Sequence, residues 1–94
     1  MGKSNYQENA RILKALAHPV RLQLIELIRE KAPCVKTMEE TIGVAQPNIS
    51  QHLNILRFSG IVDSRKNGNL RCYFLKDTDK TQELIRAIHT YMKD

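Results

Sequence analysis

The stretch that decides the fold is residues 37–59, TMEETIGVAQPNISQHLNILRFS. Thr37 and Glu40 have the spacing of a capping box, which predicts that a short helix starts at Thr37. Gly43 predicts the end of that helix. A second helix is predicted to begin two or three residues later, because apolar residues then recur at the spacing of one helix face. These residues are Ile49, Leu53 and Leu56. Two helices joined by a tight glycine-containing turn form a helix-turn-helix.

Two helices are predicted before this motif. Apolar spacing indicates the first over about residues 5–17. It should stop before Pro19, since proline disfavours helical backbone in the residue that precedes it. Pro19 is well suited to the first turn of the second helix, which should reach about Glu30.

A hairpin and a closing helix are predicted after the motif. Strand-like runs flank Asn67-Gly68-Asn69, a strong hairpin signal, so residues 61–75 are expected to form a two-stranded wing. Residues 78–93 are expected to form the last helix. The predicted fold is mainly α (α+β), in the order ααααββα, as a single winged helix-turn-helix domain over residues 1–94.

Composition limits the partners and the location of the chain. The 94 residues carry 15 Lys and Arg against 10 Asp and Glu, a formal charge of +5. This balance suits a polyanion such as nucleic acid. No apolar run approaches the roughly 18 residues that a membrane span needs, and the first residues lack the apolar core of a signal peptide. We therefore expect a cytoplasmic protein with no membrane partner.

The second helix of the motif has an unusual polar face, made of neutral amides and hydroxyls with no acid. Asn and Gln side chains can pair with the edge of adenine in the DNA major groove, and Ser can bond to bases or phosphates. The amino-terminal residues of such a helix usually reach the bases, and its free N–H groups attract phosphate. The alternative is an ordinary solvated face. The predicted DNA-binding residues are Gln46, Pro47, Asn48, Ser50, Gln51, His52 and Asn54.

His52 has a second interpretation. A single histidine near an apolar face is more often a structural residue, bonded for example to a carbonyl, than a metal ligand. A phosphate contact by His52 is the third interpretation.

The wing is basic. Residues 57–76 hold five Lys and Arg against one acid. A cationic hairpin tip can contact a phosphate backbone or a minor groove. Alternatively, charged edge strands serve only to prevent aggregation. The predicted DNA-binding residues of the wing are Arg65, Lys66, Asn67, Asn69 and Arg71.

Several spaced motifs together resemble the ArsR/SmtB repressors. Residues 16–22, LAHPVRL, are similar to the family's "LA-x-P-x-R-L" signature. Residues 43–53, GVAQPNISQHL, resemble its recognition segment "GLSQPTVSxHL". Residues 56–62, LRFSGIV, and residues 71–75, RCYFL, resemble its "LRxxGLV" and "xxYYxL" segments. Ala45 departs from the pattern, because the family usually has Ser there as helix N-cap.

The resemblance implies a homodimeric transcriptional repressor that binds palindromic double-stranded operator DNA and leaves it when an inducer arrives. It also implies that the first and last helices form the dimer interface. An apolar stripe on the last helix agrees with that expectation. The predicted interface residues are Leu13, Leu84, Ile85, Ile88 and Tyr91.

The sequence contains no complete motif that identifies the inducer. The family's metalloid motif needs a second thiol that Cys34-Val35-Lys36 lacks, and a zinc site built on Asp77, Asp79 and His89 is incomplete. We predict no metal site and no cofactor, although a metal or metalloid inducer stays open. Cys34 and Cys72 are expected to be two small half-buried residues. The alternatives are a redox pair, or a Cys34 thiolate favoured by the nearby Lys36.

The sequence bears on two other classes of protein. An enzyme is not expected, because the chain has no glycine-rich phosphate loop, no HExxH motif and no nucleophile elbow. A winged-helix module that binds another protein instead of DNA is the alternative. Such modules usually lack a neutral amide face beside a basic wing.

Overall fold

The computed structural model describes residues 5–31 and 33–93 and contains, within those ranges, five helices and one antiparallel hairpin. Residues 1–4, 32 and 94 of the predicted domain lie outside the described residues. The predicted order ααααββα is confirmed. The elements are α1 (Tyr6–Leu16), α2 (Pro19–Glu30), α3 (Val35–Ile42), α4 (Gln46–Ser59), β1 (Val62–Asn67), β2 (Leu70–Leu75) and α5 (Asp79–Met92).

The boundary between α1 and α2 follows from local chemistry. Pro19 occupies the first turn of α2, as predicted, where its missing N–H costs no helical hydrogen bond. The Nδ1 atom of His18 accepts a hydrogen bond from the Val20 N–H at 3.1 Å and so caps α2. The chain therefore turns between two helices with a histidine at the N-cap.

Helix α3 starts earlier than the capping-box pattern predicts. Cys34, and not Thr37, is the N-cap residue, and its side chain makes no capping hydrogen bond. The reason is a tertiary contact, since Cys34 has extended backbone and forms an isolated antiparallel bridge with Cys72 of β2. The chain thus enters α3 directly from a strand-like residue, and Thr37 lies inside the helix.

Two glycines set the ends of the helix-turn-helix. Gly43 and Gly60 end α3 and α4 with φ of +78° and +87°, a left-handed backbone that side chains disfavour. Ala45 is the N-cap residue of α4 and makes no side-chain capping bond. Relative to the Ser that the family motif has there, this loss is worth about 1 kcal/mol.

The wing is a regular hairpin with a two-residue loop. Val62 pairs with Leu75 at its base and Asn67 with Leu70 at its tip. Gly68 takes a φ of +67° while Asn69 takes no positive φ, which is the pattern of a type II′ turn with glycine first. The register puts Val62, Tyr73 and Leu75 on the face that packs on the helices.

The core lies between α2, α4 and the base of the wing. The inward residues predicted for α4, Ile49, Leu53 and Leu56, are fully buried. Apolar residues from every other helix and from both strands join them. The buried cluster consists of Leu16, Leu24, Ile25, Ile28, Met38, Ile49, Leu53, Leu56, Ile61, Val62, Tyr73 and Ile85.

Candidate DNA-binding surface

Helix α4 presents an uncharged polar row to solvent. The side chains of Gln46, Asn48, Gln51 and Asn54 are exposed, together with Pro47, and Ser50 is half-buried. The helix contains no Asp or Glu. An exposed row of amides and hydroxyls at the amino-terminal end of an acid-free helix has the donors and acceptors that base edges present in a major groove.

The start of α4 offers fewer free N–H groups than the sequence suggests. The N–H groups of Asn48 and Ile49 both bond to the Ala45 carbonyl, at 3.0 and 3.1 Å. Pro47 has no N–H. In the part of the chain that the structure describes, Gln46 is therefore the one residue of the first turn whose N–H has no backbone or side-chain acceptor.

His52 is turned inward and contacts helix α2. Its Nδ1 accepts a hydrogen bond from the Arg21 guanidinium at 3.0 Å, and its ring lies 4.4 Å from the His18 ring, centroid to centroid. Burial, and then the charges of His18 and Arg21, lower the pKa of His52. The structural interpretation fits this geometry, with a guanidinium in place of the carbonyl.

Arg21 was not singled out from the sequence, yet it joins three helices. Besides its bond to His52, its Nε donates to the carbonyl of Ala15 at 2.5 Å near the end of α1. A cation at that position also complements the negative end of the α1 dipole. Its place inside the LAHPVRL motif was the signal that could have identified it. Arg21 thereby fixes where α4 lies on the body of the protein.

The wing carries its cations at the tip. The side chains of Arg65, Lys66, Asn67, Asn69 and Arg71 are all exposed. Lys66 and Arg71 are cross-strand partners, and like charges directly opposite each other destabilise a hairpin. Arg71 donates to the Ser64 hydroxyl at 3.0 Å, and the Arg65 guanidinium carbon lies 4.8 Å from the centre of the Phe74 ring.

The only acid of the wing lies at its base. The Asp63 carboxylate lies 4.0 Å from the Nε of Arg57 in α4 and 4.0 Å from the Nζ of Lys76 after β2. Among the described residues, Arg65 and Lys66 form no salt bridge with any acid. The positive charge at the tip is therefore left for an external anion.

The predicted dimer residues divide into two groups. Leu13 is 55% exposed and Tyr91 is 90% exposed, and Leu84 and Ile88 are half-buried. Ile85 is only 1% exposed, so its assignment to the interface is wrong. It belongs to the core of its own chain, because it lies on the face of α5 that packs on α2.

The two cysteines are brought together, although they lie on different elements. Both are half-buried, as expected, but they are also cross-strand neighbours. A hydrogen bond with Cys72 and burial raise the pKa of Cys34. This direction is opposite to the alternative in which Lys36 favours the Cys34 thiolate.

The part of the chain described here holds no group of three His, Cys, Asp or Glu residues placed to bind a metal. His89 contacts Glu26, with 2.6 Å between its Nδ1 and the carboxylate.

Across residues 5–31 and 33–93, no helix combines the length and the apolar character needed to cross a bilayer.

Comparisons with known proteins agree with this architecture. A family model described as bacterial regulatory protein, arsR family, matches residues 18–64. The biofilm growth-associated repressor of Xylella fastidiosa (strain Temecula1) is 42% identical over 83 residues, which cover 88% of this chain and 72% of that protein. The crystal structure of the transcriptional repressor BigR from Xylella fastidiosa superposes with a TM-score of 0.80 at 39% identity, covering 93% of this chain and 85% of that one. HlyU from Vibrio cholerae N16961 superposes with a TM-score of 0.88 at 26% identity, covering 99% and 100%. This chain therefore belongs to the ArsR family of DNA-binding winged helix-turn-helix transcriptional regulators, and not to a family of enzymes.

Proposed function

We propose that this protein is a homodimeric repressor that binds a palindromic operator in the cytoplasm and is released from it by an inducer. The observation that carries the proposal is the exposed, acid-free polar row of α4 beside a wing whose tip cations have no acidic partner among the described residues. In this arrangement α4 enters the major groove and the wing contacts the adjacent phosphate backbone.

Helix α4 and the wing would have different roles in binding DNA. Ser50, Gln51 and Asn48 would bond to base edges and supply sequence preference, since neutral amides and hydroxyls match those edges. Arg65, Lys66 and Arg71 would bond to phosphates and supply affinity that does not depend on sequence. His52 would act indirectly, because it holds α4 against Arg21.

Dimerisation is supported by apolar surface that one chain leaves uncovered. Leu13 on α1 and Tyr91 on α5 are both largely exposed, and Ile88 and Leu84 are half-buried. Two copies related by a twofold axis would cover these residues in one isologous interface. Such a dimer would place its two α4 helices on half-sites about one turn of DNA apart.

The experiment is a fluorescence anisotropy titration of the full chain on the DNA upstream of its own gene, at two salt concentrations, with unrelated DNA as the control. We expect preference for the upstream DNA and binding that weakens steeply with salt. Binding that is absent, or that is independent of salt, would instead support the protein–protein module.

The same titration identifies the inducer class. Arsenite, Zn(II), peroxide, sulfide and small metabolites are added in turn to the preformed complex. Release by one of them at concentrations that leave the protein folded would name the class. Release by none would contradict control by any of the compounds tested.

A further inference from the structure

Cys34 and Cys72 meet in the geometry that a disulfide requires. They form an antiparallel bridge, and the Tyr73 N–H donates to the Pro33 carbonyl at 3.0 Å beside it. A hydrogen bond between the flanking residues marks the bridge as a non-hydrogen-bonded pair, in which Cα atoms are about 4.5 Å apart. Disulfides form between Cα atoms about 4.4–6.8 Å apart. The two thiols can therefore be joined without moving either element far.

The surroundings of the pair would attract a small anionic reagent. Both cysteines are half-buried, so a small molecule can reach them. Cys72 lines a cavity of about 580 Å³ whose other walls include Arg65, Lys66 and Phe74. Arg65 is also the cross-strand partner of Cys72 in the hairpin. Carboxylates of an incoming reagent would thus be held by the cations beside the thiols.

We propose that Cys34 and Cys72 form a reversible intramolecular disulfide by exchange with an anionic low-molecular-weight disulfide, and that this bond weakens DNA binding. One protein thiolate attacks the reagent, which forms a mixed disulfide and releases one reagent thiolate. The second cysteine then attacks the protein sulfur of the mixed disulfide and releases the other reagent thiolate. The two cysteines lose two electrons, the reagent gains them, and the two released thiolates take up the two protons.

The effect on DNA binding, which rests on the proposed function, follows from where the bond lies. Cβ atoms of directly opposite strand residues are about 4.5–5.5 Å apart, whereas a disulfide needs about 3.5–4.5 Å. Because Cβ atoms of a non-hydrogen-bonded pair are at the closer end of that range, closing the bond draws β2 toward the start of α3 by about half an ångström. Arg65 pairs with Cys72 and α3 leads through Gly43 into α4, so the bond displaces the wing relative to α4.

Reactivity should depend on pH. The hydrogen bond with Cys72 raises the pKa of the Cys34 thiol above its ordinary value, so the thiolate of Cys34 is scarce near neutral pH. Because thiolate is the attacking species, exchange speeds up as the pH rises. Adding acid removes the thiolate and therefore stops exchange in samples taken over time.

The experiment treats the full chain with glutathione disulfide and maps peptides under non-reducing conditions. We expect a linked Cys34–Cys72 peptide that has lost two hydrogens and that dithiothreitol separates again. Affinity for the upstream DNA should fall about fivefold or more after oxidation, and reduction should restore it. The matched variants Cys34→Ser and Cys72→Ser should keep the affinity of the reduced protein and lose the response to oxidation.

Three outcomes would overturn the proposal. Free thiols after prolonged exposure to the reagent would rule out the disulfide. A linked peptide with unchanged or increased affinity for DNA would rule out the weakening effect. A response that persists in Cys34→Ser would assign it to another group. Failure of the reduced protein to bind DNA would contradict the proposed function, while peptide mapping would still decide whether the disulfide forms.

Discussion

Arg21 donates a hydrogen bond to Nδ1 of His52 across 3.0 Å, and this contact joins helix α2 to the helix proposed to read DNA. The same guanidinium donates to the Ala15 carbonyl near the end of α1. Three helices thus share one cation, and the exposed polar row of α4 is oriented by a residue that lies outside the helix-turn-helix.

Replacing Arg21 should destabilise the fold. Arg21→Ala removes the charged donor from His52 and from the Ala15 carbonyl, and hydrogen bonds to charged groups are worth about 1.5–3 kcal/mol each. We expect the free energy of unfolding, measured by urea denaturation, to fall by about 2 kcal/mol or more. Lys80→Ala, at an exposed cation of α5, is the control and should change it little. Equal stability of the two variants would contradict the role assigned to Arg21.

The stability of the protein should fall in mild acid because of His52. Its pKa is lowered, by burial first, below the ordinary value of 6.5 that the unfolded chain has. The unfolded state therefore binds more protons than the folded state between these two pKa values. The contribution of neutral His52 is full above pH 6.5 and is lost as the pH falls toward the lowered pKa.

Urea denaturation at a series of pH values tests this dependence. His52→Asn keeps an acceptor near the Nδ1 position but does not titrate. We expect the loss of stability in mild acid to be smaller in this variant than in the natural chain. An identical pH dependence would assign the effect to other groups.

The wing should govern the salt dependence of binding. Arg65→Ala combined with Lys66→Ala removes two cations that form no salt bridge within the described part of the chain. The log–log slope of affinity against salt should become shallower by about 0.9 for each lost phosphate contact. Upstream and unrelated DNA should be weakened alike. A variant with the natural slope would show that the tip does not touch phosphate.

The dimer interface can be tested by placing charge on it. Leu13→Asp should raise the dimer dissociation constant by at least about tenfold, or about 1.4 kcal/mol, because an unpaired carboxylate would be buried between the copies. Leu70→Asp is a matched control, since Leu70 is 51% exposed and Leu13 is 55% exposed. Sedimentation velocity measures both. Equal effects of the two substitutions would argue against an interface at Leu13.

Local patterns predicted most of the fold. The apolar spacing of Ile49, Leu53 and Leu56 identified the buried face of α4, and Asn67-Gly68-Asn69 identified the hairpin, because both depend on neighbours in the sequence. The order of elements followed from these signals. The polar face of α4 could also be predicted from the sequence, since it consists of the helix positions that the apolar residues do not occupy.

Tertiary contacts account for what the sequence did not reveal. Helical spacing grouped Ile85 with Ile88 and Tyr91, because all three are apolar residues of the same helix. It could not show that Ile85 packs in the core of its own chain. The bridge between Cys34 and Cys72 moved the start of α3, and no local pattern encodes a contact between distant segments. No local pattern shows that His52 bonds to Arg21 either, because the two residues are 31 positions apart in the sequence.

The most direct test of base reading by α4 is the ratio of affinities for upstream and unrelated DNA, measured by anisotropy for a variant carrying Ser50→Ala and Gln51→Ala. A good side-chain pair with a base discriminates by about 1–3 kcal/mol, so we predict that the ratio falls about tenfold or more while the fold and salt dependence persist. Gln23→Ala, at an exposed amide of α2, should leave the ratio unchanged. An unaltered ratio in the double variant would contradict the placement of α4 in the major groove.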